Sequence, residues 1–364
     1  MGYAPEARID HTALRQNLKR ARRAAKGSRI WAVVKADGYG HGMLRVASSL
    51  DAADGLAVAR LDEALRLREA GIGAPILVMG GCHTAEQLKL ASEAALQIGI
   101  HDSAQLRLLS DARLKPQSLK LWIKVDTGMH RLGFATTEIS QVMATLRAHS
   151  AVAELNLMTH LANADNRGDP ATEAQCARFA SLDRSHIDAC SIANSAGLLG
   201  HPAARSDWAR PGIMLYGVTP FTESTAEEEG LLPVMTLQSR VVAVKQCAQG
   251  DRIGYGGAYT CPTAMPVAVI AIGYGDGYPR HAPSGTPVLV SGTRLPLVGR
   301  VSMDMISVDA RRLPGVKVGD DAVLWGRGLP VEEIAQAAGT IAYELLCGVK
   351  RRVEFVDFHS AEEL

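Results

Sequence analysis

At 364 residues, the chain has room for about two domains and a sizeable core. Hydrophobic residues make up 47% and charged residues 21%, and the formal net charge is +1; that balance gives no reason to expect nucleic acid or an anionic membrane surface as a partner. The six cysteines (Cys82, Cys176, Cys190, Cys247, Cys261, Cys347) are scattered, with no C-x-x-C pair and no histidine cluster, which argues against a metal site or a disulfide framework and fits a cytoplasmic protein.

Glu6, Arg8 and Asp10 precede any sustained apolar run, unlike a secretory signal, and no stretch is apolar enough to span a bilayer. Short apolar runs then alternate with amphipathic stretches through the first two-thirds of the chain. Strands are expected at 29–34, 55–58, 75–79, 96–100, 120–125, 154–158, 186–191 and 206–209. The clearest helical pattern between them runs from Leu61 to Ala70, with Gly71 placed to cap its C-terminus. Strands alternating with helices imply a parallel sheet, and a set of eight favours a closed TIM-type (β/α)8 barrel over an open doubly wound sheet. Near Leu231 the pattern changes to short strand-like runs at 236–245, 266–272, 287–290, 295–298 and 305–308, separated by Gly- and Pro-rich turns, with one late helix at 331–338. This reads as a second, mainly β domain. The boundary is expected in the acidic segment 222–230, giving domains 1–230 and 231–364.

In such a barrel, chemistry gathers in the loops at the C-terminal ends of the strands. The first run ends on Lys35 and is followed by Ala36-Asp37-Gly38-Tyr39-Gly40-His41-Gly42. A strand-end lysine has its stem fixed and its amine at the edge of a low-dielectric core, which suits it to imine chemistry; it could equally snorkel to solvent. The glycine spacing, G-x-G-x-G, is neither a Rossmann fingerprint nor a P-loop. The other loops add Arg131, His160, Asn194-Ser195 and Arg210-Pro211-Gly212-Ile213, the last at an expected helix start with Pro at its first position. Each has an ordinary explanation: Ser195 could cap a helix, His160 could be a satisfied histidine, and Arg131 could be a surface ion-pair partner. Taken together, the Ser195 hydroxyl and the Gly212 and Ile213 amides make a phosphate site after the seventh and eighth strands. A phosphate site and an imine-forming lysine at one barrel mouth point to pyridoxal phosphate (PLP).

These residues sit in motifs that resemble the alanine racemase family, in order, over nearly the whole chain. Val33-Val34-Lys35-Ala36-Asp37-Gly38-Tyr39-Gly40-His41-Gly42 resembles its PLP-lysine signature. Lys124-Val125-Asp126-Thr127-Gly128-Met129-His130-Arg131-Leu132-Gly133 resembles its substrate-arginine segment. Asn194-Ser195-Ala196 and Trp208-Ala209-Arg210-Pro211-Gly212-Ile213 resemble its cofactor loops, and Arg252-Ile253-Gly254-Tyr255-Gly256-Gly257 its catalytic-tyrosine segment. Gly299-Arg300-Val301-Ser302-Met303-Asp304 and Ala342-Tyr343-Glu344 match two more segments, whereas Gly38 and Gly275 stand where many members carry alanine.

Residue by residue, the resemblance implies PLP held as an aldimine on Lys35, with Tyr39, Ser195, Gly212, Ile213 and Tyr343 around its phosphate. Arg210 would face the pyridine nitrogen and be linked to His160, a cationic donor drawing Tyr255 toward the phenolate. Lys35 and Tyr255 would be the opposed bases for D- and L-alanine. Arg131 and the Met303 amide would contact the substrate carboxylate. Lys124 corresponds to a lysine carbamylated in some members. The family further implies a head-to-tail homodimer in which Tyr255 and Met303 complete the partner's site, with racemisation supplying D-alanine for peptidoglycan or L-alanine for catabolism. A decarboxylase of this architecture would carry a Gly-Glu-Pro-Gly-Arg type segment, which is not found here. A PLP-homeostasis protein would need no second domain.

Overall fold

The computed structural model describes residues 4–361, and the chain divides into two units. Leu14–Leu215 and Thr219–Leu231 make the first. Counting from β1 (Glu6–Asp10), which lies in the other unit, its strands are β2 (Arg29–Val33), β3 (Gly55–Val58), β4 (Ile76–Val78), β5 (Gln97–Ile100), β6 (Leu119–Asp126), β7 (Phe134–Ala135), β8 (Val152–Met158), β9 (Cys190–Ser191) and β10 (Trp208–Ala209). They run in the order β5-β4-β3-β2-β10-β9-β8-β6, β5 pairs with β6 to close the ring, and β7 adds to β6. All eight expected strands are present in a closed parallel barrel. Every residue of β3 and β4 is buried, as expected for a parallel sheet covered by helices outside and packed side chains inside.

Two strands are shorter than expected. Of 186–191 only Cys190–Ser191 pairs, and of 206–209 only Trp208–Ala209. Carboxylates replace the missing ladder: the Leu155 N–H donates to Asp188 Oδ2 (2.8 Å) and the Cys190 N–H to Asp207 Oδ2 (2.7 Å). Inside the barrel, Trp31 and Trp208 stack at 4.2 Å with Trp122 edge-on to Trp31 at 6.2 Å. Such aromatic pairs add about 0.5–1.5 kcal/mol each beyond their buried area. Gly55 leaves room for them, since a Cβ there would come within 2.2 Å of the Trp31 ring.

Met1–Ala13, Tyr216–Val218 and Leu232–Leu364 make the second unit. Besides β1 it contains β11 (Met235–Cys247), β12 (Arg252–Ile253), β13 (Tyr259–Thr260), β14 (Met265–Ile270), β15 (Pro287–Val290), β16 (Thr293–Pro296), β17 (Ile306–Asp309), β18 (Asp321–Trp325) and β19 (Glu354–Phe358). The sheet runs β16-β15-β18-β11-β1-β19, with β14 joined to β11 and β17, while β12 and β13 form a separate hairpin. It is the strand-rich domain expected, and the helix at Val331–Ala338 falls where the periodicity placed it. The expected strand at 295–298 lies two residues earlier, at Thr293–Pro296.

The division at residue 230 departs from these units at the N-terminus. β1 lies between β11, antiparallel, and β19, parallel, so the first residues complete the C-terminal sheet. The acidic segment belongs to the barrel unit, where Arg167 pairs with the buried Glu229 at 2.6 Å. Among the described residues, no helix is long and apolar enough to cross a membrane.

Candidate active site

β2 ends at Val33, and Lys35 follows it half-buried. The chain then does something uncommon for L-residues. Ala36 (φ 54°), Asp37 (φ 53°), Gly38 (φ 64°), Tyr39 (φ 51°) and Gly40 (φ 80°) are all left-handed in succession. The Gly38 N–H donates to Val34 O (2.9 Å) and the Gly40 N–H to Ala36 O (3.0 Å), so the segment is a turn of left-handed helix. Each non-glycine residue in that conformation costs about 1–2 kcal/mol.

Specific contacts hold the turn. The buried Glu63 carboxylate accepts the Ala36 N–H on Oε1 (2.7 Å) and the Ala59 (2.9 Å) and Arg60 (3.1 Å) N–H groups on Oε2. Asp37 Oδ1 accepts the Met43 N–H at 2.9 Å, where the next helix, Met43–Ser49, begins. A Cβ at Gly38 would lie 2.7 Å from Val46 Cγ2. The outcome is positional: Tyr39 is buried, and a Cβ on Gly212 would lie 2.3 Å from the Tyr39 hydroxyl oxygen. The loop after β2 therefore meets the loop after β10.

At the end of β9, Asn194 and not Ser195 caps the helix Ser195–Gly200, its Oδ1 accepting the Gly197 N–H at 2.9 Å. That leaves the buried Ser195 Oγ to accept the Gly212 N–H at 2.9 Å, with the Met214 N–H at 3.4 Å. The helix start expected at Arg210–Ile213 is instead a short 3-10 helix, Ile213–Tyr216, preceded by irregular backbone at Pro211 and Gly212. Pro211 O accepts the Val33 N–H at 3.0 Å and so ties β2 to this loop.

Arg210 is buried, and its guanidinium donates to Ser191 Oγ, to Thr159 O, and to Ile192 O at 3.2 Å. Burial draws its pKa down to about 10, which still leaves a cation at neutral pH. Burial, and then the like charges of Arg210, Arg131 and Lys35, draw Lys124 down to about 8. His160 is held well below the usual histidine range, by burial first and then by Arg210, Lys124, Arg131 and Lys35. Burial and these like charges therefore oppose the cationic form of His160. The five residues share one electrostatic neighbourhood at the C-terminal ends of the strands. The acid in it is engaged: against the opposing effect of burial, the N–H groups of Gly128, His130 and Met129 and the His130 ring hold Asp126 below its ordinary range. Four basic side chains with one occupied carboxylate make the local field positive.

Three expected site residues belong to the C-terminal unit. Tyr255 opens a 3-10 turn between β12 and β13 and is 68% exposed. Met303, 52% exposed, sits on a loop clasped by the Tyr274 N–H to Ser302 O (3.1 Å) and the Gly275 N–H to Met303 O (2.8 Å). A Cβ at Gly273 would lie 2.2 Å from Ser302 O, and Arg352 bridges Asp276 and Asp304 at 2.8 Å each. Tyr343 lies on the helix Ala342–Gly348, partly exposed.

Two polar residues that position the barrel site were not foreseen. Glu63 reads in sequence only as an acidic residue in the first turn of a helix. Gln175 is buried and donates to His160 O (3.1 Å) while accepting the Ala162 N–H (2.8 Å), so it fixes the His160 loop; no local signal marks it. A cavity of about 520 Å³ at the opposite end of the strands is lined by Arg29, Asp54, Lys120, Glu154 and Asp188 among others, and by none of the expected site residues. Its acids already serve strand N–H groups or Lys120.

Residues 9–220 match the family model described as alanine racemase, N-terminal domain, and residues 234–356 match alanine racemase, C-terminal domain. The alanine racemase of Coxiella burnetii is 49% identical over 357 residues, covering 96% of this chain and 98% of that one. That of Nitrosococcus oceani is 53% identical over 350 residues, with the same coverage of 96% and 98%. Among solved structures, the biosynthetic alanine racemase of Pseudomonas aeruginosa superposes with a TM-score of 0.95 at 44% identity, covering 98% of this chain and 100% of that one.

Proposed function

The chain belongs to the alanine racemase family, isomerases acting on alanine, and we propose that it works with PLP at the barrel rim through two opposed bases, Lys35 and Tyr255. One observation carries the cofactor assignment: the left-handed turn seats Tyr39 against Gly212 directly after Lys35. The residues present fit the group. Gly212 lacks the Cβ that would push Tyr39 away, Ser195 Oγ lies at the Gly212 amide, and the surrounding field is cationic. Tyr39, Ser195, Gly212, Ile213 and Tyr343 would hold the phosphate.

When bound as an imine, PLP withdraws electrons from the α-carbon of an attached amino acid and makes its α-hydrogen acidic. Lys35 then moves a proton on one face and Tyr255 on the other, for D- and L-alanine respectively. Arg210 would face the ring nitrogen. An arginine does not give up its proton and does not protonate that nitrogen, which limits electron withdrawal and the side reactions it promotes. Arg131 and the Met303 amide hold the substrate carboxylate. His160 acts as a neutral imidazole, orienting without adding charge. Lys124, drawn down to about 8, has a larger neutral fraction at pH 7 than an ordinary lysine, and a neutral amine is what carbamylation requires. The carbamate would supply the anion that the Arg131 neighbourhood otherwise lacks.

Tyr255 and Met303 are exposed in the chain, which supports a homodimer in which each completes the partner's site. The likeness to a biosynthetic enzyme favours D-alanine supply for peptidoglycan over L-alanine catabolism.

Incubating the purified protein with L-alanine in deuterated water tests the reading. Loss of chirality with α-deuterium incorporation is expected, together with imine absorbance that Lys35→Ala removes. Tyr255→Phe is expected to impair abstraction from L-alanine while leaving that absorbance intact. Decarboxylation, or no exchange, would overturn the assignment.

A further inference from the structure

Two thiols flank the segment that carries Tyr255. Cys247 is the last residue of β11, and Cys261 directly follows β13. Cys261 is 1% exposed in a small apolar cluster with Met265, Val267 and Val298, and Cys247 packs against that cluster from a half-buried position. The main chain brings the pair together. A turn at 248–251 is closed by the Ala248 N–H on Asp251 Oδ2 (2.8 Å), and the chain returns with the Cys261 N–H on Asp251 O (2.8 Å) and the Gly250 N–H on Cys261 O (2.9 Å). The ladder between β11 and β14 sets Cys247 opposite Met265, a member of the same cluster. The pair therefore shares one apolar cluster, with Cys247 packed against the group that contains Cys261, and both are free thiols. No role proposed above uses either of them.

We propose that Cys247 and Cys261 are a modification site, a dithiol that a hydroperoxide converts to a disulfide closing the loop that bears Tyr255. Cys247, the more accessible sulfur, reacts first. Its thiolate attacks one oxygen of the peroxide, the O–O bond breaks, and the departing hydroxide is protonated to water, leaving a sulfenic acid. The Cys261 sulfur then attacks the Cys247 sulfur, the S–O bond breaks, and the second hydroxide leaves as water with the Cys261 proton. Two thiols lose two electrons in all, and one hydrogen peroxide becomes two waters. The linkage ties the base of the β12–β13 hairpin, so the exposed Tyr255 turn loses freedom to adjust. This effect on activity rests on the reading of Tyr255 as a base; formation of the disulfide does not.

The test treats the PLP-loaded protein with hydrogen peroxide and maps its thiols by peptide mass spectrometry without reduction. A Cys247–Cys261 cross-linked peptide, two hydrogens lighter and reversed by dithiothreitol, is expected, with racemisation falling several-fold and recovering on reduction. Cys247→Ser and Cys261→Ala should each abolish the cross-link and the reversible loss of rate. Peroxide that leaves both thiols free, carries Cys247 to sulfinic acid with Cys261 unlinked, or links either to the exposed Cys347 would overturn the proposal. A full cross-link with unchanged rate, in a protein whose Tyr255→Phe variant is inactive, would overturn the clamp on the turn. Should Tyr255→Phe keep its full rate, the base assignment fails instead, while the cross-link still decides the fate of the thiol pair.

Discussion

Replacing Glu63 with glutamine changes one oxygen to an amide nitrogen and should loosen the cofactor loop more than any exposed substitution. The carboxylate accepts three backbone N–H groups, Ala36 on one oxygen and Ala59 and Arg60 on the other. Glutamine has one oxygen, so in either orientation its NH2 group faces at least one of those donors. A buried donor left without its acceptor costs about 1–3 kcal/mol. If Ala36 is the one abandoned, the left-handed run of Ala36, Asp37 and Tyr39 loses the contact at its first residue. That run stores about 3–6 kcal/mol at 1–2 kcal/mol per residue, so it has reason to relax. A shift of about 2 kcal/mol is expected, and if it falls on the seating of Tyr39 it corresponds to roughly 30-fold weaker PLP binding. Urea unfolding followed by tryptophan fluorescence weights the barrel, because Trp31 and Trp122 are fully buried there and Trp208 nearly so, while the fourth tryptophan, Trp325, is buried in the C-terminal unit; PLP titration by absorbance reports the site. An unchanged unfolding midpoint together with an unchanged dissociation constant would refute the role assigned to Glu63.

Two further outcomes follow from the barrel rim. Burial, and then the neighbouring cations, draw Lys124 down to about 8 in the fold, against 10.5 for an ordinary lysine. Between those values the unfolded chain binds more protons than the folded one, so stability should rise with pH across that window, by at most about 3 kcal/mol at 1.36 kcal/mol per unit. Denaturant midpoints from pH 7.5 to 10.5 in carbon-dioxide-free buffer would show the rise, and Lys124→Met should flatten it. Gly212→Ala places a methyl 2.3 Å from the Tyr39 hydroxyl oxygen, and such overpacking costs about 1–3 kcal/mol. PLP titration should show binding weakened by about tenfold or more, with partial recovery when Tyr39→Phe removes the clashing oxygen, a coupling that a double-mutant cycle measures directly.

The barrel was legible because most of its strands, all but the two-residue β9 and β10, are short apolar runs separated by amphipathic helices. β1, β18 and β19 were not. The first four residues of β1 alternate between half-buried and buried and Asp10 is buried as well, too short a pattern to stand out, and the strand forms because β11 and β19 flank it. Gly38, Gly40 and Gly42 announced a turn, but its hand did not show. Ala36, Asp37 and Tyr39 have no intrinsic preference for positive φ strong enough to reveal it; Glu63, from a different βα unit, stabilises it. Lys35, Ser195, Gly212 and Ile213 could be grouped by position on the barrel alone. Tyr255, Met303 and Tyr343 could not, since nothing local distinguishes them from an exposed aromatic, a loop methionine or a helix residue, and they entered only through the resemblance. The lowered pKa of His160 was also hidden, because it depends first on burial and then on four cations brought near it by folding.

The place of β1 has a consequence for synthesis. Glu6 on β1 and its β11 partner Gln238 are 232 residues apart, and His11, just past β1, reaches Asp357 of β19 across 346. All the barrel strands are translated in that interval. A growing chain can therefore close the barrel while β1 still waits with both of its hydrogen-bonding edges open, and the sheet is finished only when β19 emerges. A stall or truncation before β19 would release a chain with a complete barrel and an unsealed strand edge, the kind of surface on which chaperones and neighbouring chains compete.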